Sequence, residues 1–372
     1  MRASTGQHWI ALDHVRALAA FLVFTWHFTH GHNGQPVPFE GAPAVFPLAL
    51  LDEGHVGVSL FMALSGYLFA KLLDGKRIDY GAFFLNRLLR LAPLLVLVLV
   101  AADIVRAHNG EGTAIWPYVR EFFAGFVDLS KPLPNGIWSI VVEVHFYLLL
   151  PLLMAAIRRD RHATLWFLAI AILLRTALHF YGGPVQFVAY WTIFGRVDQF
   201  LLGIFAFQFR DLIGGRHVTA ASVGIALSLA YYLFDLAGGF YGSERQAWGS
   251  ALWVIWPTIE GACFAALIAY YDTSFAPRAT GLSWLLAKAG EYSYSIYLLH
   301  FFFVFQLAPF IHRHVMDISN FYVACLWSAL IFLAMVPMGW LSFVVIEKPF
   351  LKLRRRYVRP AETAVADEPK PA

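Results

Sequence analysis

The chain has 372 residues, of which 59% are hydrophobic, 17% aromatic and only 14% charged. Soluble proteins carry about 25% charged residues, so this composition excludes an ordinary soluble domain and indicates a polytopic membrane protein. The net charge of +4 does not indicate a nucleic-acid partner, because Lys and Arg lie in short clusters between apolar runs. Cys263 and Cys325 lie in separate apolar runs, where we expect them to pack as small hydrophobic residues.

Long apolar runs predict the fold class directly. Crossing the hydrocarbon core takes about 20 mostly apolar residues in a helix. Such runs predict an all-α integral membrane protein with about ten transmembrane helices, near residues 9–28, 56–73, 89–107, 137–157, 163–180, 189–209, 218–236, 249–271, 292–311 and 321–346. The first run lacks a clear small-residue cleavage site, which favours a retained span over a signal peptide.

The remaining segments are assigned by length and composition. Residues 114–129 are too short for a span and carry two charged side chains, which favours an interfacial or re-entrant segment. We expect residues 1–356 to form one transmembrane domain. Residues 357–372 are rich in Pro, Ala and Glu without apolar periodicity, which predicts a disordered tail.

The distribution of basic residues predicts the orientation. With ten spans both termini lie on one side, and the segments on that side hold most of the 28 Lys and Arg residues. Basic segments stay in the cytoplasm. The sequence therefore predicts cytoplasmic termini in a multi-pass protein of the cell (inner) membrane.

The first span carries costly polar side chains, which makes them candidates for function. Arg16 and His27 are eleven residues apart, so they share nearly one helix face at a separation of about 16 Å. A guanidinium binds phosphate or carboxylate oxygens, and a neutral histidine can accept a proton from a hydroxyl. The alternative is that Arg16 pairs with Asp13, and that His27 marks the membrane interface with His30 and His32. The last two histidines lack the further ligand that a metal site needs, so we expect no metal.

The second and third spans add three candidates. Gly54–Phe69 is rich in small residues, which packing between helices explains in part. Ser65 lies there without a G-x-S-x-G elbow, so a nucleophilic role is disfavoured. Arg87 and Arg90 lie one turn apart at the mouth of the third helix. They either anchor the topology or bind a phosphate group.

Polar residues also occur in later spans. Ser139 and Glu143 share a face of the fourth helix next to Trp138, and a carboxylate in this apolar surrounding needs a partner such as a histidine, an arginine or a hydroxyl substrate. In the sixth span, mutual pairing of Arg196 and Asp198 is expected. Three further polar residues lie in or near the last spans, namely Glu260, Glu291 and His300.

Together these residues resemble the sequence motifs of one protein family. Arg16 and His27 reproduce the R/K-x10-H motif of the membrane-bound acyltransferase-3 family, and Arg87 and Arg90 match its RxxR motif. The stretch LFMALSG (60–66) is similar to FFVxSG, and Trp138, Ser139 and Glu143 match WSLxxE, while YSIYLLH and the final IEKP are also similar to that family. The resemblance extends over residues 12–349. Substitutions at Leu60, Met62, Ala63 and Ile140 depart from the pattern without touching a charged position.

The resemblance implies an O-acyltransferase that moves an acyl group, commonly acetyl, from cytoplasmic acyl-CoA to a hydroxyl of an extracytoplasmic or membrane-associated carbohydrate. Arg16, Arg87 and Arg90 would bind the phosphates of acyl-CoA, which is a co-substrate and not a bound cofactor. His27 would be the general base, and Glu143 would orient it or contact the sugar. Trp138, Ser139 and Ser65 would form the acceptor or oxyanion region.

Two alternatives stay open. Transfer through an acyl-His27 intermediate would give ping-pong kinetics. A transporter of an anionic solute or lipid-linked sugar would use the same polar face, and inverted repeats with broken helices would support it. Some family members carry an additional extracytoplasmic hydrolase-like domain. The segment after the tenth predicted span is too short for one, so we expect this chain to act alone or with a separate protein.

Overall fold

The computed structural model describes residues 9–30, 43, 45–110, 120, 124, 136–160, 162–243 and 249–360. Within these ranges the chain is almost entirely helical. The helices are α1 (Ile10–His30), α2 (Ala49–Asp52), α3 (Gly57–Leu73), α4 (Tyr80–His108), α5 (Ile137–Arg159), α6 (Ala163–Phe180), α7 (Val185–Trp191), α8 (Ile193–Gln208), α9 (Arg210–Ile213), α10 (His217–Leu236), α11 (Gly239–Ser243), α12 (Gly249–Ser274), α13 (Gly281–Glu291), α14 (Ser293–Leu299), α15 (Phe301–His314), α16 (Phe321–Ser342) and α17 (Lys348–Leu351). A 3₁₀ turn (Gly54–Val56) precedes α3, and a π-helical turn (Phe343–Glu347) joins α16 to α17.

The predicted all-α polytopic class is confirmed. Among the described residues, seven helical segments are long and apolar enough to cross a membrane, and α14 with α15 would make an eighth as one span bent by 63°. These eight correspond to eight of the ten predicted spans. The first and the sixth do not meet the same criterion, because α1 carries several polar side chains and the sixth run is divided at Thr192 into α7 and α8. The count of ten and the side of the termini stay predictions.

The helix α1 lies inside the bundle, between α3, α13 and α16. Fourteen of its 21 residues are buried, among them Asp13, which is fully inaccessible. Ionisable side chains in a membrane protein are tolerated where they face the protein interior. This position explains how the first helix keeps its polar residues.

The helices α3 and α8 pack closely because each presents a glycine to the other. A Cβ atom on Gly66 would lie 1.9 Å from the carbonyl oxygen of Phe200, and one on Gly203 would lie 2.0 Å from that of Ala63. Only glycine permits backbones to approach this far. Packing therefore accounts for Gly66, which follows the candidate Ser65.

A short antiparallel ribbon ties the end of the described chain to the connection between α3 and α4. Strand β1 (Lys76–Ile78) pairs with β2 (Val358–Pro360), with Lys76 opposite Pro360. Tyr357 is buried, and its ring packs against Phe83 at 5.5 Å between centroids. Residues 357–360, which begin the predicted tail, are therefore held against the helices, while the domain boundary itself stays a prediction. The rest of the predicted tail, and most of the predicted segment 114–129, lie outside the described residues.

Candidate active site

A cavity of ≈ 190 Å³ opens between α1, α3, α4, α5, α14 and the segment that follows α17. Six of the eight predicted site residues line its wall, namely Arg16, Ser65, Arg87, Arg90, Ser139 and Glu143. The predicted residues thus converge from four helices on one space. The other two, His27 and Trp138, lie beyond this wall and are described below.

Three arginines occupy one part of the cavity wall. Arg16 donates to the buried carboxylate of Asp13, which is the pairing named above as the alternative explanation for Arg16. The same Arg16 side chain also lines the cavity. Arg90 pairs with Glu347 from the π-helical turn. Arg87 donates to the hydroxyl of Tyr357 at 3.1 Å. Each arginine is therefore held in place while it faces a common space.

Glu143 faces the same arginines. The hydroxyl of Tyr147, one turn further along α5, donates to the Glu143 carboxylate, and the Arg87 guanidinium lies 5.6 Å from the centroid of the Tyr147 ring. The observed partner of this carboxylate is therefore a tyrosine hydroxyl of the same helix, which was not among the expected partners. Among the described residues Glu143 makes no hydrogen bond to His27.

Ser139 belongs to a hydroxyl cluster at the first turn of α5. Its Oγ donates to the carbonyl oxygen of Gly136 at 3.0 Å and lies 2.7 Å from the hydroxyl of Tyr297. The Tyr297 hydroxyl also reaches the Gly136 carbonyl at 3.0 Å. Gly136 has a φ of 69°, a left-handed conformation that favours glycine. Two hydroxyl groups, one from α5 and one from α14, therefore meet at the cavity wall.

His27 pairs with a second histidine. Its Nδ1 lies 2.8 Å from the carbonyl oxygen of Val23 and 3.2 Å from Nε2 of His300. His300 Nδ1 lies 2.6 Å from the carbonyl oxygen of Tyr297. Because a carbonyl oxygen only accepts, both Nδ1 atoms carry a proton in the neutral rings. The lone pair of His27 therefore lies on Nε2, which has no hydrogen bond to another described residue.

His300 occupies the break between α14 and α15, where the span bends by 63°. It is 1% exposed, so the bend carries an imidazole into the protein interior against α1. Phe301 follows, and its ring lies 4.5 Å from that of His27. The same ring comes within 3.0 Å of the position that a Cβ on Gly136 would occupy. Phe301 therefore lies between His27 and the hydroxyl cluster at the cavity wall.

The profile of the acyltransferase domain family, acyltransferase-3, matches residues 9–345, which include every side chain described so far except Glu347 and Tyr357. The chain belongs to the acyltransferase-3 family. The resemblance inferred from the motifs is confirmed, and with it an enzyme of the acyltransferase class.

Curated relatives of this acyltransferase are named as O-acetyltransferases. The O-acetyltransferase OatA of Staphylococcus aureus is 26% identical over 92% of this chain and 57% of its own. The putative peptidoglycan O-acetyltransferase YrhL of Bacillus subtilis is 24% identical over 91% and 54%. The peptidoglycan O-acetyltransferase OatA of Listeria monocytogenes is 25% identical over 92% and 56%. The chain thus spans about half the length of these relatives. No solved structure matches it.

Trp138 lies outside the cavity of this acyltransferase in an aromatic group. Its ring lies 5.0 Å from that of Tyr190 and 4.6 Å from that of Trp191. The guanidinium of Arg196 lies 4.3 Å from the Tyr190 centroid and 5.9 Å from that of Trp138. Trp138 therefore belongs to a different surface from Ser139, its neighbour in the chain.

The expected pairing of Arg196 with Asp198 is wrong. Asp198 accepts from Arg175 at 2.8 Å, on the neighbouring helix α6. Arg196 instead donates to Ser59 at 2.6 Å and lies 3.8 Å from the carboxylate of Glu260. Residues two apart on a helix point in different directions, so each of these charges finds its partner on another helix.

Several site residues of the acyltransferase were given no role in the sequence analysis. Tyr147 lies at the i+4 position from Glu143, which is a spacing that periodicity alone could have identified. Tyr297 and His300 belong to the quoted stretch YSIYLLH, and Glu347 to IEKP, but no pattern in those stretches indicates their partners. Arg354 also lines the cavity, but no motif or spacing in the sequence around it indicates a site residue.

Proposed function

We propose that this chain is an O-acyltransferase of the cell inner membrane, which moves an acetyl group from cytoplasmic acetyl-CoA to a hydroxyl of a carbohydrate on the other side. The cavity lined by Arg16, Arg87 and Arg90 is the observation that carries the proposal. Arginine forks bind the phosphates of such a donor. The names of the relatives support acetyl as the acyl group.

His27 acts as the general base in this proposal. Its Nε2 takes the proton of the acceptor hydroxyl, whose oxygen attacks the thioester carbonyl. The tetrahedral intermediate collapses with cleavage of the C–S bond, and the thiolate of CoA takes the proton back from His27. The hydroxyl groups of Ser139 and Tyr297 both line the cavity, and we assign the oxyanion to them.

Phe301 adds a steric condition to this route. The Phe301 ring lies 4.5 Å from the His27 ring, between centroids. The thioester can therefore reach the imidazole only along the sides of it that Phe301 does not cover. Glu143 accepts from Tyr147 and lines the same cavity as the three arginines. We assign it to holding the arginines at the distance that a bound phosphate requires.

The acceptor is proposed from the relatives. Those of Bacillus subtilis and Listeria monocytogenes are named for peptidoglycan O-acetylation, so we place a peptidoglycan glycan strand first. The proposal is tested by incubating the protein, reconstituted in nanodiscs, with labelled acetyl-CoA and peptidoglycan fragments. Label is expected to reach the glycan with the native protein and not with His27→Ala.

A matched binding measurement tests the donor site. Arg16→Ala and Arg87→Ala are expected to weaken acetyl-CoA binding more than acceptor binding. Unchanged acetyl-CoA affinity in both variants would contradict the assignment. A covalent acyl-His27 route would instead give ping-pong kinetics and a labelled protein band.

Transport is the second candidate function, favoured by the broken helix at His300. Discontinuous helices are typical of transporters that bind substrate near the middle of the membrane. Proteoliposomes separate the two functions. Movement of a lipid-linked sugar or anionic solute across the bilayer without acetyl transfer would favour transport and overturn the enzymatic proposal.

A further inference from the structure

The segment 352–360 is fixed against the cavity by its backbone. The Asn86 side chain brackets Arg355: its Nδ2 donates to the Arg355 carbonyl at 2.6 Å, and its Oδ1 accepts from the Arg355 amide at 2.9 Å. The amide of Asp79 donates to the carbonyl of Tyr357 at 2.8 Å, directly before the ribbon of β1 and β2. None of these anchors uses the side chain of an arginine.

This anchoring places Arg354 on the cavity wall as a fourth arginine. The lining then contains four guanidinium groups and one carboxylate, that of Glu143. Arg16 and Arg90 each have a carboxylate partner. Among the described residues, neither Arg87 nor Arg354 forms an ion pair, and the Nε atom of each is buried without a hydrogen-bond partner.

Buried donors without partners are uncommon, because each one costs about 1–3 kcal/mol. Here two of them belong to guanidinium groups that face one cavity. Burial, together with the positive charges of Arg90 and Arg87, lowers the pKa of Arg354 to about 10. Among the described residues, Arg354 therefore has no ion-pair partner whose negative charge would balance its own positive charge.

We propose that Arg354 binds a phosphate of the acyl donor, and that Arg354 and Tyr357, the two residues of this segment that line the cavity, are a fixed part of that phosphate site. This inference rests on the proposed function. Phosphate esters supply the missing charge, and their oxygens fit the fork of a guanidinium. The phosphate of an anionic lipid has the same chemistry, so the experiment separates the two sources.

Arg354→Gln tests the inference, with Arg356→Gln as its matched control. Arg356 lies two residues away in the same anchored segment and is exposed. Binding of acetyl-CoA to the purified protein in detergent is measured by calorimetry. Loss of a charge-assisted bond is expected to weaken acetyl-CoA binding by about 10-fold or more in Arg354→Gln. Arg356→Gln is expected to bind like the native protein.

Two further ligands make the result specific. S-acetylpantetheine has no nucleotide phosphates, so its affinity is expected to be the same in the native protein and in Arg354→Gln. Adenosine 3′,5′-bisphosphate carries phosphates without the thioester, and its affinity is expected to fall with that of acetyl-CoA. An equal loss for all three ligands would indicate a disturbed fold and overturn the inference.

Other outcomes overturn it in distinguishable ways. If Arg354→Gln binds acetyl-CoA as tightly as Arg356→Gln but loses affinity for short-chain phosphatidylglycerol, the anion is a lipid headgroup. If the native protein itself binds no acetyl-CoA, the proposed function fails and this inference fails with it. A native protein that binds acetyl-CoA, next to an unaffected Arg354→Gln, refutes the role of Arg354 alone.

Discussion

Replacing His300 should slow catalysis far less than replacing His27. His27 Nδ1 has two partners, the carbonyl of Val23 at 2.8 Å and His300 Nε2 at 3.2 Å. His300→Ala removes the second partner and keeps the first, so the tautomer that leaves Nε2 unprotonated is retained. One neutral hydrogen bond contributes about 0.5–1.5 kcal/mol, which corresponds to about a 2- to 10-fold change in rate.

His27→Ala removes the proposed base itself. General base catalysis contributes about 100- to 10,000-fold, so the two variants are expected to differ by at least one order of magnitude. The assay is the initial rate of labelled acetyl transfer at varied acetyl-CoA concentration. We expect kcat to fall in both variants while KM for acetyl-CoA stays unchanged. His300→Gln supplies an acceptor at a similar position and is expected to restore part of the rate.

One result would refute this reasoning. If His300→Ala is as slow as His27→Ala while both variants bind acetyl-CoA normally, the Val23 carbonyl does not by itself hold the active tautomer. The two imidazoles would then act as one unit. Full activity of His27→Ala would remove the base from the mechanism altogether.

Two stability predictions concern the packing around the site. Gly66→Ala places a Cβ atom 1.9 Å from a backbone carbonyl of the facing helix and is expected to cost about 1–3 kcal/mol. Gly224→Ala meets nothing within 4 Å and should leave Tm unchanged or raise it slightly, because Ala has the higher helix propensity. Equal Tm values in the two variants would show that α3 and α8 can separate freely. Glu347→Gln leaves the buried charge of Arg90 unpaired, which is expected to cost about 3–5 kcal/mol, while Glu291→Gln affects a more exposed pair and should cost much less. Thermal unfolding in detergent measures both, and similar losses in the two glutamine variants would contradict the second prediction.

Apolar runs were sufficient to predict the helical class, because crossing a bilayer imposes a length that is visible in the sequence. The breaks were not predictable. Thr192 divides one predicted span and His300 bends another, but neither residue is Pro or Gly, so no local signal indicates that the helix ends there. Both breaks depend on packing against helices distant in the chain.

The site residues were predictable where they belong to short sequence motifs of the family. Arg16, Arg87, Arg90 and Glu143, which all belong to such motifs, line one cavity, while the role of each stays a prediction. Pairings between different helices were not predictable, because a sequence does not specify the angle between two helices. His27 therefore contacts a histidine 273 positions away, whereas the partner of Glu143, Tyr147, lies one turn further along the same helix.

The ribbon of β1 and β2 makes the proposed donor site depend on the order of synthesis. Strand β1 leaves the ribosome early, but its partner is about 280 residues later, and contacts of such separation form slowly. Until this last segment has been made and anchored, the part of the cavity wall that contains Arg354 is missing. Under the proposed function, a chain that ends before Arg354 would therefore contain all the candidate membrane-spanning helices up to Ser342 and yet bind acetyl-CoA poorly.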